Sequence, residues 1–167
     1  MKKEISLIDD MGYLMLKIAI LAGILILVGI FVFGVFRNEG IDMAPAVKDG
    51  DLVIFYRLDK RYTASDVIVL EWKGEKQVRR VVAVAGDTVD ITEDGLMINS
   101  ALQQEAGIYE ETQRYVEGIE FPVTVKEGQV FVLGDGRESS TDSRIYGPVE
   151  VKDTMGKVMF LVRRRGI

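Results

Sequence analysis

The chain has 167 residues, 48% of them apolar, and its mean hydropathy of +0.15 is ordinary for a globular protein with one hydrophobic segment. The formal net charge is −5, and an acidic chain lacks the electrostatic footprint of a nucleic-acid-binding protein, so we exclude that class of partner. The sequence has no cysteine and no histidine, which excludes Ser-His-Asp and Cys-His catalysis, thiol redox chemistry and nearly all zinc sites. We therefore expect no metal site and no cofactor. A hydrolase built from these residues has to use serine with lysine, or paired carboxylates.

The first element in chain order is an uncharged apolar run over residues 18–36, between Lys17 and Arg37. At about 1.5 Å per residue it reaches roughly 28 Å, the hydrocarbon thickness of a bilayer. A buried core helix seldom lacks a polar face for so long, and a cleavable signal peptide has a shorter apolar region followed by a small-residue cleavage site. We predict a transmembrane helix over 18–36, a short segment over 1–17 and one domain over 37–167. Basic residues flank both ends of the run equally, so charge leaves its orientation open.

The remainder of the chain is predicted to form short strands separated by turns. Residues 92–95, Thr-Glu-Asp-Gly, predict a hairpin, and the polar segment 103–112 is assigned a short helix. Strands at such close spacing predict an all-β barrel or sandwich. Runs rich in β-branched and aromatic residues lie at 52–56, 66–72, 78–84, 88–92, 96–99, 121–125, 129–133 and 155–162.

Three stretches have unusual residue types in a definite order. The first is Gly-Ile-Asp-Met-Ala-Pro-Ala-Val at 40–47, with Gly-Asp at 50–51. The second is Arg-Arg-Val-Val-Ala-Val-Ala-Gly-Asp at 79–87, and the third is Gly-Asp-Gly-Arg-Glu-Ser-Ser-Thr-Asp-Ser-Arg at 134–144. Taken singly, each indicates only a turn, because Gly-Asp pairs make turns and a surface ion pair contributes little.

Together, in this order and directly behind an apolar span, the three stretches resemble the motifs of the type I signal peptidases, in particular the short Gram-positive form. That family's pattern runs Gly-x-Ser-Met-x-Pro-Thr, then Lys-Arg-Val-x5-Gly-Asp, then Gly-Asp-Asn-x3-Ser-x-Asp-Ser-Arg. The resemblance covers essentially the whole chain and implies the all-β signal peptidase fold behind one N-terminal transmembrane α-helix. It also implies an orientation in the cell membrane, with a cytoplasmic N-terminus and an extracellular main domain.

The departures from the family pattern fall on its chemistry. Family members use a dyad in which lysine takes the serine proton and the serine oxygen attacks the scissile carbonyl. Here Asp42 aligns with the serine and Arg79 with the lysine, and arginine stays protonated at physiological pH, so it cannot act as the base. Ala46 also replaces a threonine and Gly136 an asparagine. The rest of the motif frame is retained: Met43, Pro45, Arg80, Asp87, Asp135, Arg137, Ser140, Asp142 and Arg144.

We therefore predict a pseudoenzyme in which Asp42 and Arg79 meet where the dyad would lie, with Asp42 at the base of a groove. A carboxylate and a guanidinium can pair there bidentately, within about 3 Å, so that neither is an uncompensated buried charge. The alternative is that the two residues changed by neutral drift at a site that has no function, so that any contact between them is incidental.

Three functions follow from these observations. The sequence resembles the catalytically inactive branch that acts beside a sortase in Gram-positive pilus assembly. That resemblance implies an accessory factor or chaperone in pilin polymerisation, which binds a pilin subunit or the sortase in the old substrate groove and contacts membrane lipid through its span. The alternative is an active peptidase that cleaves signal peptides with altered residues, Asp42 sharing a proton with Asp135 or Asp142; the resemblance, however, gives both of those aspartates basic partners. A purely structural anchor explains neither the retained frame nor the groove.

Overall fold

The computed structural model describes residues 7–163, and its first element is helix α1, Leu7–Val32, with largely exposed apolar side chains. Asp10–Val32 within it are long and apolar enough to cross a membrane, with a mean hydropathy of 2.8, and no other helix in residues 7–163 meets that criterion. The predicted apolar helix is therefore present as one N-terminal element, as a single-pass membrane protein requires.

Helix α1 ends earlier than the predicted span. Residues 33–36, which the apolar run placed in the membrane, belong instead to strand β1, Phe33–Arg37. Gly34 is buried in this strand, and a Cβ at that position would collide with the ring of Phe55. The β domain therefore begins where the backbone at Gly34 packs closely against the ring of Phe55. The second of two compact units begins at Gly34, before the predicted domain start at residue 37.

The strands of the described chain form two sheets. The larger has seven strands in the order β1-β2-β11-β3-β4-β9-β10, and the smaller has four in the order β7-β6-β5-β8. This architecture confirms the predicted all-β class. The bounds are β2 Leu52–Tyr56, β3 Val67–Trp72, β4 Glu75–Val84, β5 Thr88–Thr92, β6 Gly95–Ile98, β7 Ala101–Leu102, β8 Val123–Thr124, β9 Gln129–Leu133, β10 Val149–Glu150 and β11 Thr154–Val162, with a short helix α2 at Ser143–Tyr146 and a 3₁₀ turn at Val151–Asp153.

Three clusters of buried apolar side chains make up the core of the β domain. Because Met43 is 1% exposed within one of them, the loop that carries its neighbour Asp42 is anchored by apolar burial, which stabilises it by about 1.5–3 kcal/mol. Representative members are Ile91, Leu96 and Phe131 in the first cluster, Met43, Val47 and Phe55 in the second, and Ile68, Val81 and Val132 in the third.

Strand β4 brings the second motif to the middle of the larger sheet. It pairs antiparallel with β3 on one side and with β9 on the other, and Arg80 lies opposite both Val67 and Leu133. Successive side chains of a strand point to opposite faces of a sheet. Arg79 and Arg80 therefore reach different partners from neighbouring positions.

The short helix predicted at 103–112 is wrong, because the structure has a loop there. The amide of Gln103 donates to the carbonyl oxygen of Leu96 at 2.9 Å, while Glu105 and Thr112 both contact the guanidinium of Arg137. Side-chain contacts to one buried arginine hold this segment in place of helical backbone hydrogen bonds.

Candidate active site

Asp42 lies in the loop that follows β1. Its carbonyl oxygen accepts a hydrogen bond of 2.9 Å from the amide of Gly136, which joins the first motif to the third. Gly136 is buried, and a Cβ there would stand 2.9 Å from the carbonyl oxygen of Ile41. The side chain of Asp42 is 34% exposed, so its carboxylate sits at the edge of the domain interior and still meets solvent.

Arg79 is almost fully buried and directs its guanidinium toward Asp42. Its Nη2 donates to Asp42 Oδ2 at 2.7 Å, which confirms the predicted pair. The contact is monodentate, because only this one nitrogen donates to the carboxylate. Nε and Nη2 both donate to the carbonyl oxygen of Thr141, at 3.0 and 2.8 Å, and Nη1 donates to that of Val78 at 2.6 Å. Backbone carbonyls therefore hold most of the guanidinium in place.

Arg80 and Asp135 form a bidentate ion pair beside the site. Arg80 Nε and Nη2 donate to the two oxygens of Asp135 at 2.7 and 2.6 Å, and the Asp135 side chain is 2% exposed. Hydrogen bonding to this carboxylate raises the pKa of Arg80 above its usual value. The backbone amide of Asp135 also donates to Met43 Sδ at 3.4 Å, so this retained aspartate is fully committed to structural contacts.

Asp142 is the centre of a buried polar network. Its oxygens accept hydrogen bonds from Arg144 Nε and Nη2 at 2.9 and 2.8 Å, from the Ser140 hydroxyl at 2.5 Å and from the Gly134 amide at 3.1 Å. It also caps α2 by accepting from the Arg144 amide. With all of its donors inside the protein, this buried carboxylate is compensated.

Arg137 is fully buried and ties the third motif to the loop 103–114. Its Nη1 and Nη2 contact the carboxylate of Glu105 at 2.5 and 2.7 Å, Nη1 also donates to the Thr112 hydroxyl, and Nε donates to the carbonyl oxygen of Gly134 at 2.8 Å. Two of these partners, Glu105 and Thr112, were missed by the sequence analysis, because they lie far from the motif and in no recognisable pattern of their own.

Tyr115 is another residue that the sequence analysis missed. Its hydroxyl donates to the carbonyl oxygen of Ser140 at 2.8 Å, and the Arg144 guanidinium lies over its ring at 4.4 Å. Burial raises the pKa of Tyr115, so the hydroxyl stays protonated and remains a donor.

The last two retained motif residues lie at the edges of this arrangement. Pro45 is exposed in the loop after Asp42. Asp87 closes the turn between β4 and β5 by accepting from the amide of Val84 at 2.9 Å and from the side chain of Asn99 at 2.8 Å. The hydrogen bonds of Asp87 do not reach Asp42 or Arg79, so Asp87 stabilises the turn and belongs to the frame.

Asp42 and Arg79 both line a cavity of about 460 Å³. Its walls are the end of β1, the loop that follows it and the beginning of β4, which fits the prediction that Asp42 lies at a groove. Lys76 extends over the ring of Phe36 at 6.0 Å from its centroid, and the side-chain oxygen of Gln77 is buried without a hydrogen-bond partner in the described part of the chain. The residues that line this cavity are Phe36, Arg37, Asn38, Glu39, Asp42, Gly74, Glu75, Lys76, Gln77, Val78 and Arg79.

An apolar N-terminal helix followed by a β domain with three interlocked motifs places the chain in the signal peptidase class. The family described as "Signal peptidase, peptidase S26" matches residues 11–163, and the chain belongs to that family.

Named relatives and a solved structure agree with this assignment. The chain is 30% identical over 164 residues to signal peptidase IB of Staphylococcus aureus (strain Mu50), covering 87% of this chain and 85% of that protein. It is 33% identical over 131 residues to a probable chloroplastic thylakoidal processing peptidase 2 of Arabidopsis thaliana, covering 71% and 35% of the two chains. A crystal structure of a signal peptidase I from Enterococcus faecalis V583 superposes with a TM-score of 0.50 at 26% identity, covering 59% and 97%.

Proposed function

We propose that this chain is a non-catalytic signal peptidase homologue that serves as an accessory factor or chaperone in pilin polymerisation at the outer face of the membrane. The hydrogen bond between Arg79 and Asp42, at the two positions that resemblance assigns to the base and the nucleophile, carries the proposal. The orientation, with a cytoplasmic N-terminus and an extracellular β domain, is part of the same proposal.

The chemistry of the pair supports the loss of peptidase activity. A serine–lysine dyad needs a neutral base beside a hydroxyl, and arginine stays protonated at physiological pH. Each nitrogen of the Arg79 guanidinium donates a hydrogen bond. Asp42 accepts one of these bonds and offers a carboxyl group where the dyad has the serine hydroxyl that a base activates.

The alternative is an active peptidase in which Asp42 shares a proton with Asp135 or Asp142, in the manner of the aspartic proteases. The contacts of those two aspartates argue against it. Asp135 is held bidentately by Arg80, and Asp142 is held by Arg144 and Ser140. Both oxygens of each carboxylate already accept hydrogen bonds from an arginine, so neither aspartate offers Asp42 a free oxygen with which to share a proton.

The cavity beside Asp42 supports a retained binding role. Its lining offers the aromatic ring of Phe36, three basic and three acidic side chains, and the side-chain oxygen of Gln77, which has no hydrogen-bond partner within residues 7–163. Polar groups that converge in a concave site can fix the orientation of a bound segment. We propose that a segment of a pilin subunit or of the sortase occupies it, with the Asp42–Arg79 pair as its floor.

The test is pilus assembly in cells that lack this chain, complemented with variants. The exchange Gln77→Leu removes the polar group from the cavity wall, and we expect pilin polymers and co-purification of pilin or sortase to fall several-fold. Asp59→Asn alters an exposed ion pair away from the cavity lining and serves as the matched control. If neither pilin nor sortase co-purifies with the wild-type chain and pili form without it, the proposal is wrong.

A further inference from the structure

The negative charge of this protein is concentrated in one segment. Residues 90–120 contain eight Asp and Glu residues against a single arginine, a net charge of −7, and the whole chain is −5, so the residues outside the segment sum to +2. Such asymmetry creates a local field of one sign, which attracts oppositely charged partners to that face.

This acidic segment encloses a cavity of about 800 Å³ that is separate from the one of about 460 Å³ beside Asp42. One wall is the β5–β6 hairpin, with Glu93 and Asp94 exposed at its tip. The opposite wall is the loop 103–114, with Glu110 and Glu111 exposed. Two acidic pairs therefore lie on different walls of one cavity, within the range of about 300–1,000 Å³ that is typical of ligand sites.

The cavity also has apolar surface between its charged walls. The half-buried Ile108 lines it from the loop, and Ile91 and Leu96, which are 1% and 3% exposed, line it from the core beneath. An occupant therefore meets hydrocarbon in the cavity and carboxylates on its walls. Lysine and arginine match this arrangement, because their aliphatic stems pack on apolar surface while their charged ends stay in polar surroundings.

The positive groups nearest the cavity are already committed to other partners. Arg114 donates to the carbonyl oxygen of Ile91 at 2.5 Å and to Asp90 at 2.7 Å. Arg137 neutralises Glu105. The carboxylates of Glu110 and Glu111 accept hydrogen bonds from the Glu138 amide and the Gln113 side chain, which are neutral donors, so their charges are not compensated by these contacts.

We propose that this cavity binds a cationic segment of a protein partner, a short peptide stretch in which lysine or arginine side chains alternate with apolar ones. The inference does not rest on the proposed function, because the site shares no lining residue with the cavity beside Asp42. Charge complementarity selects the occupant, since an anionic membrane surface or an acidic peptide is repelled by the same field.

The test is fluorescence anisotropy with the full-length protein in a non-ionic detergent at low salt. The probe is a fluorescein-labelled six-residue peptide of alternating lysine and valine, with the glutamate–valine peptide as its matched negative, and binding to protein-free micelles is subtracted. We expect the cationic probe to bind and the anionic one not to bind. Glu93→Gln with Asp94→Asn, and separately Glu110→Gln with Glu111→Gln, should each weaken binding about five- to tenfold.

The matched control is Glu117→Gln with Glu120→Gln. It also removes two negative charges, but from exposed positions of the acidic segment outside the cavity lining. We expect this variant to bind within about twofold of the wild type. Equal weakening by all three charge pairs would mean a diffuse field and no site. No weakening by either cavity pair would place the probe elsewhere, and both outcomes overturn the proposal.

Discussion

The contacts of Arg79 predict how much the Asp42–Arg79 pair contributes to stability. Asp42→Ala removes one charge-assisted hydrogen bond, in general about 1.5–3 kcal/mol, and because Asp42 is one-third exposed we expect about 1–2 kcal/mol. Arg79→Met removes the same bond and also leaves the half-buried carbonyl oxygen of Thr141 and the buried one of Val78 without this donor, for a total of about 3–5 kcal/mol. The double variant should cost about as much as Arg79→Met alone, because those carbonyls lose their donor either way. The coupling energy is then about 1–2 kcal/mol.

The assay is a double-mutant cycle from guanidinium chloride unfolding of the fragment that begins at Gly34, which contains all three core clusters. The exposed pair of Arg61 and Asp59, with side-chain exposures of 90% and 40%, gives a matched cycle in which coupling should vanish within error. A coupling for Asp42 and Arg79 as small as that of the control would refute the reasoning, since the pair would then be solvated and the aspartate idle.

Three further predictions follow from the site and the fold. Asp42→Ser with Arg79→Lys should give weak cleavage of a signal peptide where either single change gives none, and no activity in the double variant would mean that the neighbouring replacements also block the dyad. The hydrogen bond from Arg163 is the main cause that lowers the pKa of Asp51. This carboxylate therefore adds stability above its ordinary pKa, and the protein loses that stability as the pH falls through the lowered value. Asp51→Asn should flatten the decrease of the unfolding temperature at acid pH, and an unchanged decrease would contradict this. Gly134→Ala places a Cβ 2.5 Å from the Asp42 carbonyl oxygen and should destabilise the fragment by about 1–3 kcal/mol, whereas an unaffected unfolding midpoint would show that the two motifs are not in close contact.

Local patterns of the sequence predicted most of the strands. The strands at 52–56, 88–92 and 129–133 were placed to the residue, because runs of β-branched and aromatic residues ended at clear turn residues there. Strand β1 was missed because its apolar residues continue the membrane run without a polar break. The two-residue strands β7 and β10 are too short to carry a pattern.

The site was predicted in its main feature and missed in its supporting contacts. Resemblance placed Asp42 and Arg79 side by side, and the cost of an unpaired buried charge favoured a pair over incidental proximity. The finer geometry depended on the backbone carbonyl of Thr141, an acceptor that every residue offers and that no sequence pattern marks. Glu105 and Tyr115 were missed for a related reason, since each reaches the third motif from a loop without regular structure.

The central claim is that this member of the signal peptidase family does not cleave. The most direct measurement is turnover of a preprotein with small residues before its cleavage site by the purified full-length chain, with a catalytically active family member run in parallel. The chain should show no product above the protein-free blank at neutral pH, because Arg79 cannot act as a base and position 42 has a carboxyl group where the dyad needs a hydroxyl nucleophile. Steady turnover that disappears in Asp42→Asn would contradict the claim and make the carboxylate catalytic.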